Sequence, residues 1–290
     1  MWHQLVESIK KVRSMAYCLD DLKYLMSRLR EPITGCPWDI AQTYKSIAPS
    51  TIEEAYEVVD AIETEDKLQL KEELGDLLFQ VVFYSQLGTE DESFDFDDIV
   101  DSLTTKLIRR HPHVFPDNDL HGRINFTRTA QDQQKIKAHW EEIKQQERQR
   151  KGKGGILDDV PLGLPALSRS VKLQKRASSV GFDWQEISSV LLKVKEEITE
   201  LEDAIAADDI EHINEEFGDV LFSMTNLSRH LNINPEVSLR DASRKFESRF
   251  RFIETSLASD NLAFEQVSSA ELEQLWLKAK SAEKAENQQI

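Results

Sequence analysis

Residues 53–79 read EEAYEVVDAIETEDKLQLKEELGDLLF, and residues 196–222 read EEITELEDAIAADDIEHINEEFGDVLF. The second stretch repeats the first 143 residues further on. Glu53-Glu54-x-x-Glu57 matches Glu196-Glu197-x-x-Glu200, and Glu73-Leu74-Gly75-Asp76 matches Glu216-Phe217-Gly218-Asp219, with a spacer of the same length between them. Self-similarity of this kind marks a duplicated structural unit. Further on, Lys106-x-x-x-Arg110 matches Lys245-x-x-x-Arg249, and Trp140-x-x-Ile-Lys144 resembles Trp276-x-x-Ala-Lys280. The offset has shrunk by then, which predicts short deletions in the connecting loops of the second half.

Outward from these stretches the periodicity is helical. Ser50-Thr51-Ile52-Glu53 reads as a capping box opening a helix that carries Ala55, Val58, Val59 and Ile62 on one face. A second helix is predicted from about Asp66 to a stop at Gly88, and a third from Phe96 to Arg110, stopped by Pro112. In the second half, helices are predicted over 187–206 and 209–231, and another begins at Asn234-Pro235 with proline at its first position. No stretch alternates as a strand would. Both halves are therefore expected to be all-α, as two tandem homologous helical domains.

Composition agrees. Of 290 residues only 10 are Gly and 8 are Pro, too few breakers for a turn-rich β fold. The predicted division is a domain over 1–145, a charged Gly-rich linker over 146–156 and a domain over 157–290. Residues 1–15 read as an extension, with Met15 as an alternative start. The net charge of −17 argues against general nucleic-acid binding, which needs a basic face. Two cysteines give no disulfide framework and no four-cysteine zinc site. No apolar run approaches the length of a membrane span, and the N-terminus lacks a secretory core, so a cytoplasmic protein is expected.

On a helix, residues three or four apart share a face. Glu54 with Glu57 and Glu73 with Asp76 form such pairs, as do Glu197 with Glu200 and Glu216 with Asp219. Two helices packed antiparallel would bring four carboxylates together in each half. Carboxylates gathered at one place repel and call for a cation, and an all-oxygen set suits Mg²⁺ or Mn²⁺ rather than zinc. Gly75 and Gly218 sit mid-helix, where a close helix–helix approach would justify them. His111 and His113 flank Pro112 as helix-ending residues whose imidazoles cap carbonyls, with metal binding by the His-x-His pair as the alternative. Gly35-Cys-Pro-Trp-Asp39 reads as a rigid turn with Trp38 anchored in the core, the alternative being Trp38 or Asp39 near a pocket mouth.

The pattern Glu-Glu-x-x-Glu, spacer, Glu-x-x-Asp resembles the all-α nucleoside triphosphate pyrophosphohydrolases of MazG type. The likeness extends to Arg109-Arg-His-Pro-His-Val-Phe115, Gly181-Phe-Asp-Trp184 and Lys245-Phe-x-x-Arg-Phe250, and it covers nearly the whole chain. It implies Mg²⁺-dependent hydrolysis of ribo- and deoxyribonucleoside triphosphates to the monophosphate and pyrophosphate by a homodimer, with the second half as the better-supported catalytic domain. On that reading Glu197, Glu200, Glu216 and Asp219 hold the metal, and one of them, or Glu196, orients the attacking water. Lys245 and Arg249 neutralise the triphosphate, Trp276 stacks on the base, and His212, which stands where the first half has Gln69, makes a phosphate contact sensitive to pH. The set Glu54, Glu57, Glu73 and Asp76 is a second possible metal site. The competing reading is a non-catalytic regulatory protein that binds nucleotide or another protein through its helical faces.

Overall fold

The computed structural model describes residues 17–123, 143, 147, 155–158 and 160–286. Trp140, Lys144, the extension over 1–15 and most of the expected linker lie outside the described residues. The chain forms two compact units, residues 1–140 and 141–290. Every regular element among the described residues is helical.

The first unit contains α1 (Leu19–Leu29), α2 (Pro37–Ala41), α3 (Tyr44–Glu63), α4 (Lys67–Glu90) and α5 (Phe96–Arg110). Helices α3 and α4 form a tight hairpin, and α1 and α5 each pack against α4. The core is Met26, Ile47, Val82, Phe83, Leu87 and Phe96. Arg30 is buried beside it, paired through Nε and Nη2 with Glu90 at 2.9 and 2.7 Å, and its guanidinium lies over the Phe83 ring at 5.1 Å.

Three local expectations are corrected here. Helix α3 does not begin at Ser50. Its cap is Thr43, whose hydroxyl accepts from the Ser46 amide at 3.3 Å while Ser46 Oγ accepts from the Thr43 amide at 2.8 Å. Pro49 and Ser50 lie inside the helix, which forms because the real cap satisfies its free amides about two turns earlier. Helix α4 does not stop at Gly88 but runs to Glu90. The chain reverses there through Glu92 (φ 57°), and a Cβ on Gly88 would come within 2.5 Å of the Phe94 carbonyl oxygen. Trp38 is 63% exposed and is not anchored in the core. Proline opens the five-residue α2 at its first position, and the residue this short helix turns inward is Asp39, whose carbonyl accepts from Arg30. The expectation for His111 is met, since its Nδ1 lies 2.6 Å from the Leu107 carbonyl oxygen at the end of α5.

The second unit contains α6 (Ala166–Ser178), α7 (Ile187–Ala206), α8 (Ile210–His230), α9 (Pro235–Ser259) and α10 (Ser269–Glu286). Helices α7 and α8 form the matching hairpin, α6 packs on α8, and α9 packs on α10 and α6. The two hairpins share their construction residue by residue. Helices α3 and α7 both have 20 residues. Each is followed by a three-residue link whose middle member is left-handed, Glu65 (φ 58°) and Asp208 (φ 54°). Each link ends in an aspartate cap: Asp66 accepts from the Leu68 and Gln69 amides, and Asp209 from the His212 amide. This common link is why the acidic positions repeat with an unchanged offset.

The offset falls later, and only partly in a loop. Helix α4 has 24 residues and α8 has 21, so most of the shortening comes from the helix end and only one residue from the connection to the next cap, Asp95 or Asn234. The deletion expected in loops is corrected accordingly.

Candidate active site

The packed side of α7 runs Val190, Val194, Glu197, Leu201 and Ala204, and the packed side of α3 runs Ile47, Thr51, Glu54, Val58 and Ala61. These are the same positions of the repeat. The apolar face expected on α3 is therefore displaced: Ala55 and Ile62 are exposed. The glutamate of each first helix stands in the seam, among the residues that hold the hairpin together. On the second helices the seam carries Ile213, Glu216, Val220 and Ser223, matched by Leu70, Glu73, Leu77 and Gln80.

Each hairpin thus gathers carboxylates from two helices. Oxygens of Glu197, Glu200 and Glu216 lie within 4.8 Å of one another, as do those of Glu54, Glu57 and Glu73. Glu197 is only 7% exposed and Glu216 is also buried. A buried carboxylate needs a partner, and here three face one another. Glu200 accordingly has its carboxyl pushed above the usual range, by desolvation first, then by its hydrogen bond with Glu197 and the charges of Glu197 and Glu216, against the pull of Lys193. Glu54 is pushed up likewise, by desolvation and then by Asp76, Glu57 and Glu73. The expected fourth member stands slightly apart in each unit. Asp76 and Asp219 are exposed and lie outside the close sets, although Asp76 acts on Glu54 through its charge.

Two side chains in the second unit reach into the set. Lys193 Nζ lies 2.8 Å from Glu196 Oε1 and 2.9 Å from Glu197 Oε1, and these two hydrogen bonds hold its ammonium charged far into the alkaline range. Glu196 is thereby tied to Lys193 at the edge of the set. His212 Nε2 lies 2.9 Å from Glu216 Oε1. Gln69 stands in the same relation to Glu73, at 3.3 Å. Lys193 did not enter the sequence reading, although its place four residues before Glu197 was a visible signal.

The set adjoins a cavity of about 380 Å³. Glu197, Asp219 and Lys193 contribute to its wall, and Leu173, Phe182, Trp184, Val190 and Phe222 make much of the rest. The other polar groups are Gln174 from α6, Ser223, Asn226 and Arg229 from α8, and Asp183. Arg229 Nη1 bonds Asp183 Oδ2 at 2.8 Å, Nη2 reaches the other oxygen, and His230 Nε2 lies 3.0 Å from Asp183 Oδ1. This network pins the segment that carries Phe182 and Trp184 to the end of α8, and it holds the Asp183 carboxyl below the usual carboxylate range, chiefly through Arg229.

Lys245, Arg249 and Trp276 are not part of that cavity's wall. They belong to α9 and α10. The Arg249 guanidinium lies over the Trp276 ring at 5.5 Å and bonds Glu283 Oε2 at 3.0 and 2.6 Å. Trp276 also meets Phe246 at 5.5 Å between centroids, and Lys245 is exposed.

The sequence model of the MazG nucleotide pyrophosphohydrolase domain matches the chain twice, over residues 42–115 and 185–251. The nucleoside triphosphate pyrophosphohydrolase of Escherichia coli is 46% identical over 267 residues, which cover 91% of this chain and 98% of that protein. The nucleoside triphosphate pyrophosphohydrolase/pyrophosphatase MazG of Thermotoga maritima is 42% identical over 264 residues, 91% of this chain and 96% of that one. A nucleoside triphosphate pyrophosphohydrolase of Mycobacterium tuberculosis is 37% identical over 166 residues, 56% of this chain and 46% of its own length.

Proposed function

Since the chain belongs to the MazG nucleotide pyrophosphohydrolase family, we infer that it hydrolyses nucleoside triphosphates, ribo- and deoxyribo-, to the monophosphate and pyrophosphate, limiting or cleansing the cytoplasmic nucleotide pool. We assign the reaction to the second unit. The observation that carries this assignment is the cavity whose wall joins Glu197, Asp219 and Lys193 to an aromatic slot made by Phe182, Trp184 and Phe222. At the place of Asn226 the first unit has Phe83, which is buried in its core under Arg30, and at the place of Lys193 it has Ser50.

The donor set fits a hard divalent cation: carboxylate oxygens alone, drawn from two helices, two of the three groups buried. Glu197, Glu200 and Glu216 would hold Mg²⁺, or Mn²⁺ in its place, with Asp219 completing the set. When bound, the metal supplies positive charge to phosphate oxygens that a protein of net charge −17 would otherwise repel. Lys193 adds a point charge beside it. A carboxylate of the set, or Glu196 beside Lys193, accepts the proton of the water that attacks the α-phosphorus. The α–β bridging P–O bond breaks and pyrophosphate leaves. His212, on Glu216, is the remaining side chain that would face the phosphates. The set Glu54, Glu57 and Glu73 remains a second place for a cation.

The expected contacts of Lys245 and Arg249 with phosphate, and of Trp276 with the base, are carried by a second copy of the chain, because within one copy these residues stand away from the cavity wall. We therefore take the enzyme to be a homodimer. The deciding assay is pyrophosphate release from a panel of ribo- and deoxyribonucleoside triphosphates with and without Mg²⁺. Release only with the metal is expected. No release from any triphosphate would leave the non-catalytic, regulatory reading standing.

A further inference from the structure

Asn226 is 4% exposed, lines the cavity, and has an amide whose orientation is fixed by its neighbour. Arg229 Nε and Nη2 donate to Asn226 Oδ1 at 3.1 and 2.7 Å. A guanidinium can only donate, so the amide oxygen must face it and the NH2 group must face away. Asp183 holds Arg229 in turn, at 2.8 Å from Nη1, so the amide is braced from behind. Asn226 Nδ2 has no hydrogen-bond partner among the described residues. The unpartnered side-chain atoms that are sealed from solvent there are Arg169 Nε, Gln174 Oε1 and Arg176 Nη1, and Asn226 Nδ2 is not one of them. It therefore stays accessible, and in a residue buried to this degree the opening is the cavity that it lines. Other polar groups around the cavity are committed. Ser223 Oγ donates to the Val220 carbonyl oxygen at 2.9 Å, Gln174 Nε2 to that of Phe222 at 2.9 Å, Lys193 serves Glu196 and Glu197, and Asp183 is held by Arg229 and His230. A buried donor left without an acceptor is uncommon, and here the acceptor has to come from what fills the cavity.

The position of this donor says what should meet it. Asn226 follows Asp219 by seven positions on α8, two turns further along the same face, which is about 10.5 Å of helix rise. A nucleotide with its phosphates at the carboxylates extends its ribose and base over such a span, toward the aromatic walls made by Phe182, Trp184 and Phe222. We propose that Asn226 is a specificity-determining residue, its Nδ2 donating a hydrogen bond to a ring nitrogen or carbonyl oxygen on the edge of the nucleobase seated in the cavity. This rests on the reading of the cavity as the triphosphate site. The first unit, with Phe83 at this place, has no such donor. A site built around a fixed hydrogen-bonding group rejects the analogue that lacks the matching group far better than it rejects a change of size.

The test uses the full-length enzyme and substrates in which one base acceptor at a time is removed or weakened: ATP against its 1-, 3- and 7-deaza forms, GTP against its 3-deaza, 7-deaza and 6-thio forms, CTP against its 3-deaza and 2-thio forms, and UTP against its 2-thio and 4-thio forms. The best parent substrate is expected to lose about fivefold or more in kcat/KM in one of its analogues, the scale of one hydrogen bond. Asn226→Asp keeps the oxygen that meets Arg229 and turns the donor into an acceptor, so the same change to the base should no longer lower kcat/KM. Asn226→Ala, which removes the whole amide, is the second variant, and there the loss should fall below half its wild-type value. A wild-type loss under about fivefold for every analogue of the best parent overturns the proposal, as does a folded variant that keeps more than half of the wild-type loss. Absence of turnover of any triphosphate would instead refute the underlying reading of the site.

Discussion

A glutamate on the packed side of a helix is destabilising unless something positive meets it. Glu197 and Glu54 both occupy that position, and what distinguishes them is what lies next to each. Glu197 has Lys193 at 2.9 Å and a cavity beside it. Glu54 has other carboxylates around it, and desolvation first and then their charges push its own pKa up. Glu197→Gln is therefore expected to lower kcat by about 100-fold or more, the scale for loss of a major electrostatic stabiliser, while Glu54→Gln spares activity. Steady-state pyrophosphate release for both variants checks this, and the reverse result would move catalysis to the first unit. Asp183 gives a prediction about pH. Its folded pKa lies below the ordinary aspartate value of 3.8, so the stability it contributes is present above that value and is lost as pH falls through the lower folded one. Asp183→Asn, which strips the part-buried Arg229 of its carboxylate, should cost about 1–3 kcal/mol at neutral pH. The gap in melting temperature between wild type and variant should begin to narrow below pH 3.8 and close as the pH falls through the lower folded pKa, where the native carboxyl protonates too. A gap that persisted in acid would mean that Asp183 acts by shape rather than by charge.

Helices α4 and α8 carry their glycines differently from the expectation. A Cβ built on Gly75 or on Gly218 meets nothing within 4 Å, so no close approach among the described residues calls for glycine. Gly75→Ala is then expected to stabilise the first unit by about 0.5–1 kcal/mol through helix propensity alone, measured as a shift in its denaturation midpoint. A loss of stability would reveal another copy packed against that face. The hairpins were legible in the sequence because their information is local. Caps at Asp66 and Asp209, carboxylates at helical spacing and a constant offset need only neighbours along one or two helices. The start of α3 was misread because Ser50 and Glu53 satisfy a capping pattern just after Pro49, whereas Thr43 and Ser46 form the cap in fact. Trp38 was misread because residue type alone does not say which side of a five-residue helix packs. The cavity was not legible at all. Gln174, Asp183 and Arg229 come from two helices and the segment between α6 and α7, and only their meeting gives them a role.

At the scale of the whole chain, many large apolar side chains on the hairpins remain exposed, among them Leu74, Leu78, Phe217, Leu221 and Met224. Apolar faces of that extent mark interaction surfaces. Light scattering is expected to give about twice the 33.4 kDa of one chain, and a single-chain mass at micromolar concentration would rule out the dimer. If Arg249 serves the site of a second copy, Arg249→Ala and Glu197→Gln should complement one another. Each mixed dimer then holds one site with both defects and one with neither, so an equimolar, freely exchanged mixture should recover about a quarter of wild-type activity. Parents and mixture equally inactive would place Arg249 in its own chain's site. The shorter α8 has a consequence of its own. Removing three residues from a helix ends it about 4.5 Å sooner and about 60° out of phase, so α9 departs on a different bearing from α5 even though the hairpins before them agree. The two halves are thus interchangeable cassettes up to the middle of their second helices and divergent beyond. A chimera exchanging 53–79 with 196–222 respects that boundary, whereas one exchanging 53–90 with 196–230 sends each trailing helix off on the other's bearing.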